Sequence, residues 1–170
     1  AGAKFPAAKA PATSSAFKIL SIGVAERPVD LGAAVNYGVL VSSSHVAIST
    51  FSVDSNLAHT KIRIAGIELS AWNTLSYSSV TTTIASALYL GPTAQNAQVS
   101  FSTFLAESQA AVHLSGASSN TLTGISAFNY ENPVIKISGS ANYNNINLST
   151  ITMESGEAIA IEIVGSSSNT

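Results

Sequence analysis

The sequence predicts an all-β fold, a right-handed parallel β-helix (solenoid) of about six coils. Two features in register carry that expectation. A short apolar alternation closed by Gly or Ser recurs every 23–26 residues, and an Asn follows it in step. A third observation agrees: charged residues make up only 9% of the 170-residue chain, against a 46% hydrophobic content. Such a chain has the apolar residues for a core, so its low charge does not indicate disorder.

Residues 1–16 come first and read differently from the rest. They are Ala, Pro, Lys and Ser around a single Phe5, and Pro6 and Pro11 break any helix, which suits an extended tether or linker. The solenoid domain is placed at 17–170, with FKILSIG at 17–23 as a less regular early coil. The alternations are then VLVSSS at 39–44, IRIAG at 62–66, LYLG at 88–91, VHLSG at 112–116, IKISG at 135–139 and IEIVG at 161–165. Taking Ser43, Gly66, Gly91, Gly116, Gly139 and Gly165 as the turns gives steps of 23, 25, 25, 23 and 26. The companion Asn residues are Asn73, Asn96, Asn120, Asn145 and Asn169. Apolar residues in strand spacing follow each, among them Val99, Phe101 and Phe104.

One coil alone cannot bury its apolar side chains, but a stack at ~4.8 Å spacing closes a continuous core. Ile62, Ile64, Val112, Leu114, Ile135, Ile137, Ile161 and Ile163 are expected inside along one sheet, and Phe104, Phe128 and Met153 along another. Asn at a corner can bond the backbone and the Asn of the next coil. An antiparallel sandwich or jelly roll has similar strand lengths and is the alternative fold. Two local ambiguities stand: LYLG can bury Leu88 and Leu90 or Ala87 and Tyr89, and residues 97–112 can form a short helix.

Composition narrows function. A formal charge of −2 gives no electrostatic footprint for nucleic acid. With no cysteine there is no disulfide or thiolate metal site, and no apolar run reaches the ~18–20 residues of a membrane span. No signal peptide is recognisable, and the opening residues fit a cleaved leader or an internal join equally. His45, His59 and His113 lack metal-ligand spacing, so neither metal nor cofactor is expected.

In this register the outward column three before each turn holds Leu40, Arg63, Leu88, His113, Lys136 and Glu162. Charges on a solvated face are the plainer reading, with Lys136 and Glu162 as an exposed ion pair of small value. Glycoside hydrolysis needs two facing carboxylates, ~5–9.5 Å apart. Asp54, Glu107, Glu131, Glu154 and Glu157 fall at turns, and Glu68 and Glu162 lie about four coils apart, so no pair qualifies and no catalytic residue is assigned. Trp72, Tyr77 and Tyr89 are expected in the core; exposed, they would form a platform for sugar rings. Asn147–Ser149 is a glycosylation sequon in hosts that use it.

AVHLSGASSNTLTGISAF at 111–128, VIKISGSANYNNINLSTITM at 134–153 and IAIEIVGSSSNT at 159–170 resemble the pectin-lyase-like β-helix superfamily. That group includes polysaccharide lyases and hydrolases, phage tailspikes and surface adhesins. The resemblance covers about residues 39–170 and is one of coil pattern without a catalytic signature, so it implies fold more than function. It also implies a glycan-binding role for the exposed face, with Arg63, His113, Lys136, Glu162, Trp72 and Tyr77 as candidates. PVDLGAAVNYGVLVSSS at 28–44 separately looks like the opening of the bacterial ice-binding β-solenoid domain, but TTT at 81–83 occurs once and makes no Thr-rich face.

The last coil reads as uncapped, which points toward assembly with further coils or subunits. The expectation is therefore a non-catalytic structural or adhesive module of an extracellular fibre, cell surface or virion spike. It is expected to be homo-oligomeric and able to contact polysaccharide. A fragment of a polysaccharide lyase or glycoside hydrolase is the alternative, and an ice-binding solenoid a minor one.

Overall fold

The structure is a computed structural model that describes residues 35–55, 62–154 and 159–170. The expected tether at 1–16, the early coil at 17–23, His59 and Glu157 lie outside the described residues.

Sixteen strands recur in sets of three. Sheet A stacks β1 (Val35–Val41), β4 (Ile62–Leu69), β7 (Ser86–Leu90), β10 (Val112–Ser115), β13 (Ile135–Ser138) and β16 (Ile161–Val164). Sheet B stacks β2 (Ala47–Ser49), β5 (Thr74–Ser76), β8 (Gln98–Ser100), β11 (Thr121–Thr123) and β14 (Asn145–Asn147). Sheet C stacks β3 (Ser52–Asp54), β6 (Ser79–Thr82), β9 (Thr103–Ala106), β12 (Ser126–Asn129) and β15 (Thr150–Met153). Every ladder between these strands is parallel. The fold is a parallel β-solenoid with five complete A–B–C turns and a sixth A strand, slightly short of six coils. The antiparallel sandwich is excluded, and residues 97–112 are strand, corner and turn rather than helix.

Residues in the left-handed region turn the chain at the corners. Between sheets A and B they are His45, Trp72, Asn96, Gly116 and Ser119, Gly139, Ser140 and Tyr143, and Gly165 and Ser168 in successive turns; between B and C they are Thr50, Tyr77, Phe101, Gly124 and Leu148. Such a conformation costs a non-Gly residue about 1–2 kcal/mol. Coil-to-coil bonding offsets it, because the ladder continues through the corner. The amides of Trp72, Ser119 and Phe101 donate to Gln95, Asn142 and Thr123 carbonyls of the following turn at 2.8, 3.0 and 3.1 Å.

Buried or half-buried asparagines reinforce the A–B corner. Oδ1 of Asn73, Asn120, Asn144 and Asn169 accepts the amides of Val46, Ala97, Asn120 and Asn144 in the preceding turn, at 2.9, 2.8, 3.0 and 2.9 Å. Nδ2 of the last three donates to Ala94, Ala117 and Ala141 carbonyls at 2.9, 2.8 and 2.9 Å. Two expected members are displaced by one residue. Ala97, not Asn96, occupies the rung between Asn73 and Asn120, and Asn144 rather than Asn145 stacks above Asn120.

Inward rows fill the interior: Leu69, Leu90, Leu114 and Ile137 from sheet A, Leu75, Val99 and Leu122 from B, and Val80, Phe104 and Ala127 from C. The true sheet A step runs from Val41 through Leu69, Leu90, Leu114 and Ile137 to Ile163, or 28, 21, 24, 23 and 26 residues. Gly66 is therefore not a turn. It sits inside β4, where an added Cβ would meet the Val80 side chain and lie 2.9 Å from the Ala87 carbonyl oxygen. A register shift between the β1 pairs Val35↔Ile62 and Tyr37↔Ala65 inserts an extra residue in β4. Strand parity flips there, leaving Ile64 41% exposed and handing its expected core role to Ile67 and Leu69. Phe128 is likewise displaced: it pairs with Leu105 on the outward register while Ala127 lies inward beside Phe104, so no Phe104–Phe128–Met153 stack forms.

Candidate functional site

The outward column on sheet A contains Leu40, Glu68, Tyr89, His113, Lys136 and Glu162. Two expected members are replaced. Arg63 lies in the bulged start of β4, away from the column, and Glu68 takes its rung; Leu88 is fully buried and Tyr89 faces outward. The LYLG ambiguity resolves with Leu88 and Leu90 inward.

Lys136 and Glu162 form the expected partly exposed ion pair, at 2.9 Å. His113 Nε2 lies 3.1 Å from the Ser138 hydroxyl, and the ring meets Tyr89 edge-on. Burial, with the nearby Lys136 charge, holds His113 below its ordinary pKa, while Glu162 acts in the opposite sense. At the other end the Tyr37 hydroxyl donates to the Glu68 carboxylate, whose buried Oε2 has no hydrogen-bond partner. Burial raises the Glu68 pKa against the opposing effect of that hydrogen bond. Glu68 and Glu162 are four strands apart, roughly 19 Å at ladder spacing. That exceeds the span of a hydrolase pair, so these two carboxylates cannot act across one glycosidic bond.

The two aromatic candidates occupy corners, not the core. Trp72 is 55% exposed and stacks on His45, with ring centroids 6.0 Å apart and planes within 2°. Tyr77 is 63% exposed and stacks on Phe101, itself 57% exposed, at 5.3 Å and 16°. The reason is local. A left-handed corner residue carries its side chain outward from the bend, whereas the strand residue beside it, Leu75 or Val99, points in.

Phe101 is the functional candidate that strand-spacing arguments misplace in the core. Its signal is a change of parity. Val99 and Phe104 are both buried although their separation is odd, so a corner must fall between them, and the corner residue is Phe101. The Phe101 ring then lies over Gly124 of the next turn, where an added Cβ would be 3.1 Å from Cδ1 and Cε1. Thr50, Tyr77 and Leu148 adopt the same left-handed backbone with side chains attached. Glycine at 124 thus suits both the left-handed backbone and the ring packed above it.

Hydroxyls border this aromatic pair on both sides. On sheet C an exposed column runs Ser52, Ser79, Thr103, Ser126, Thr150. On sheet B the column beside the corner runs Ser49, Ser76, Ser100, Thr123, Asn147. An open groove lies between the rings and the sheet C column, lined by Phe51, Tyr77, Phe101, Ser52, Ser79 and Thr103 among others. Stacked rings flanked by polar donors can bind a ligand with apolar faces and hydroxyl edges. Compared with family models, curated proteins and solved structures, the chain matches none.

Proposed function

We propose that this chain is a non-catalytic adhesive β-solenoid module of the pectin-lyase-like type that contacts glycans outside the cell or on a virion. The observation that carries the reading is the exposed, near-parallel Tyr77–Phe101 pair between two hydroxyl columns. A sugar ring presents a face of C–H groups to an aromatic ring and equatorial hydroxyls to its flanks, which is what this corner accommodates. The sheet A column has a lesser part, since its strongest charges, Lys136 and Glu162, already pair with each other. Homo-oligomeric assembly belongs to the same proposal. Pull-down on a panel of insoluble and soluble polysaccharides tests the reading. Binding should be lost in Tyr77→Ala and Phe101→Ala, and binding that ignores both substitutions would refute it.

One observation favours ice binding as a second reading. Sheet B presents two uncharged outward positions on each turn, for example Thr74 with Ser76 and Thr121 with Thr123. This regular face was not recognisable from the isolated TTT. Thermal hysteresis abolished by Thr121→Tyr would select this reading over the glycan one.

A further inference from the structure

We infer that the ligand of the B–C corner is a neutral polysaccharide lying along the solenoid axis, across successive turns. The inference rests on reading that corner as a glycan platform and specifies what the platform takes.

Charge sets the class. Across five turns, the outward positions of sheet B, the corner residues and the adjoining sheet C column contain no ionisable carboxylate, lysine or arginine. Among the described residues Arg63 and Lys136 are the only lysine or arginine side chains, and both belong to sheet A. A sugar acid laid on the corner would lose water from its carboxylate without gaining a cationic partner, an unfavourable exchange. A neutral sugar gives up only hydroxyl hydration, which the Ser and Thr columns replace.

Geometry sets the direction. Tyr77 and Phe101 are consecutive members of one corner column, so the line joining them follows the stack rather than a strand. The hydroxyl columns run parallel to that line. A chain that uses both rings and both borders must therefore cross the turns. Gly124 is a positioning residue: its missing side chain lets the Phe101 ring settle over the next turn and prolongs the apolar track.

Affinity electrophoresis of the full chain tests this, with a linear neutral β-glucan in one gel and polygalacturonate in another, at two salt concentrations. Retardation by the neutral glycan is expected to be insensitive to salt and weakened about tenfold by Tyr77→Ala or Phe101→Ala. Gly124→Ala should give a smaller loss. A cooperative thermal transition well above the assay temperature confirms that each variant folds, with a lower midpoint expected for Gly124→Ala from its left-handed backbone. Salt-sensitive polygalacturonate binding that depends on Tyr77 would overturn the neutral class but keep the platform. Binding to neither polymer would overturn both. The axial placement fails if a disaccharide competes as well as a hexasaccharide, since only the longer chain reaches both rings and the track beyond.

Discussion

Replacing Asn120 by alanine removes the best-buried amide of the A–B corner. Its Oδ1 accepts the Ala97 amide at 2.8 Å, and its Nδ2 donates to the Ala94 carbonyl at 2.9 Å and to Asn144 Oδ1 at 3.0 Å. Asn120, Ala94 and Ala97 are all fully buried, so no bulk water replaces the lost partners. Asn144 Oδ1 keeps the Asn120 main-chain amide and is not orphaned. Two backbone groups are therefore stranded, at about 1–3 kcal/mol each, and the expected loss is roughly 2–6 kcal/mol. Asn120→Asp should also destabilise at neutral pH, because its carboxylate faces the Ala94 carbonyl and Asn144 Oδ1, both acceptors. Urea unfolding provides the assay: the midpoint should fall while the slope stays constant. Asn96→Ala is the control, since Asn96 precedes the ladder and carries only the left-handed preference, worth about 1–2 kcal/mol at most. If Asn120→Ala costs no more than Asn96→Ala, the ladder is not a source of stability.

Three further outcomes are expected. The native Glu68 carboxyl titrates above its ordinary value near 4.5, so the folded chain holds this proton to higher pH than the unfolded chain. Its contribution is then full in acid and declines as pH rises through the native pKa; Glu68→Gln should raise the thermal midpoint at pH 7, with the gain shrinking toward pH 4, and a gain that grows in acid would contradict the sign. Gly66→Ala forces a methyl against Val80 and the Ala87 carbonyl, and overpacking of this kind should lower stability by about 1–3 kcal/mol in the same urea assay. Lys136→Ala removes a partly exposed ion pair and should shift stability by less than about 1 kcal/mol, which calorimetry in low and high salt can check.

The repeat was legible where each turn is closed by a glycine at the same depth. Gly116, Gly139 and Gly165 mark equivalent positions, and the last two steps agree between sequence and structure. Before them the reading slipped for steric reasons. Gly66 resembles a turn residue but is small because sheet C presses on it, and the bulge in β4 reverses the parity that periodicity relies on. Ala87, Leu88, Tyr89 and Leu90 carry apolar groups on both registers, so alternation alone could not orient β7. The ion pair of Lys136 and Glu162 was legible because both precede aligned glycines. The aromatic corner was less so. The odd spacing of Val99 and Phe104 marks a bend between them, but hydropathy does not tell which residue takes it, and the same Tyr or Phe is core on a strand and surface on a corner.

The asparagine ladder has a mechanical consequence. Ladder bonds in all three sheets run along the axis, so a pull on the ends of the stack loads a whole turn-to-turn junction at once. The junctions are not stitched alike. Between the second and third turns Ala97 stands where an amide would reach back, and that A–B corner is joined by main-chain bonds such as Trp72 to Gln95 at 2.8 Å and Gln98 to Asn73 at 2.8 Å. Under tension the solenoid has a preferred parting plane there, just where Tyr77 and Phe101 bridge the same two turns from the outside. A polymer laid across both rings would act as a splint over the seam.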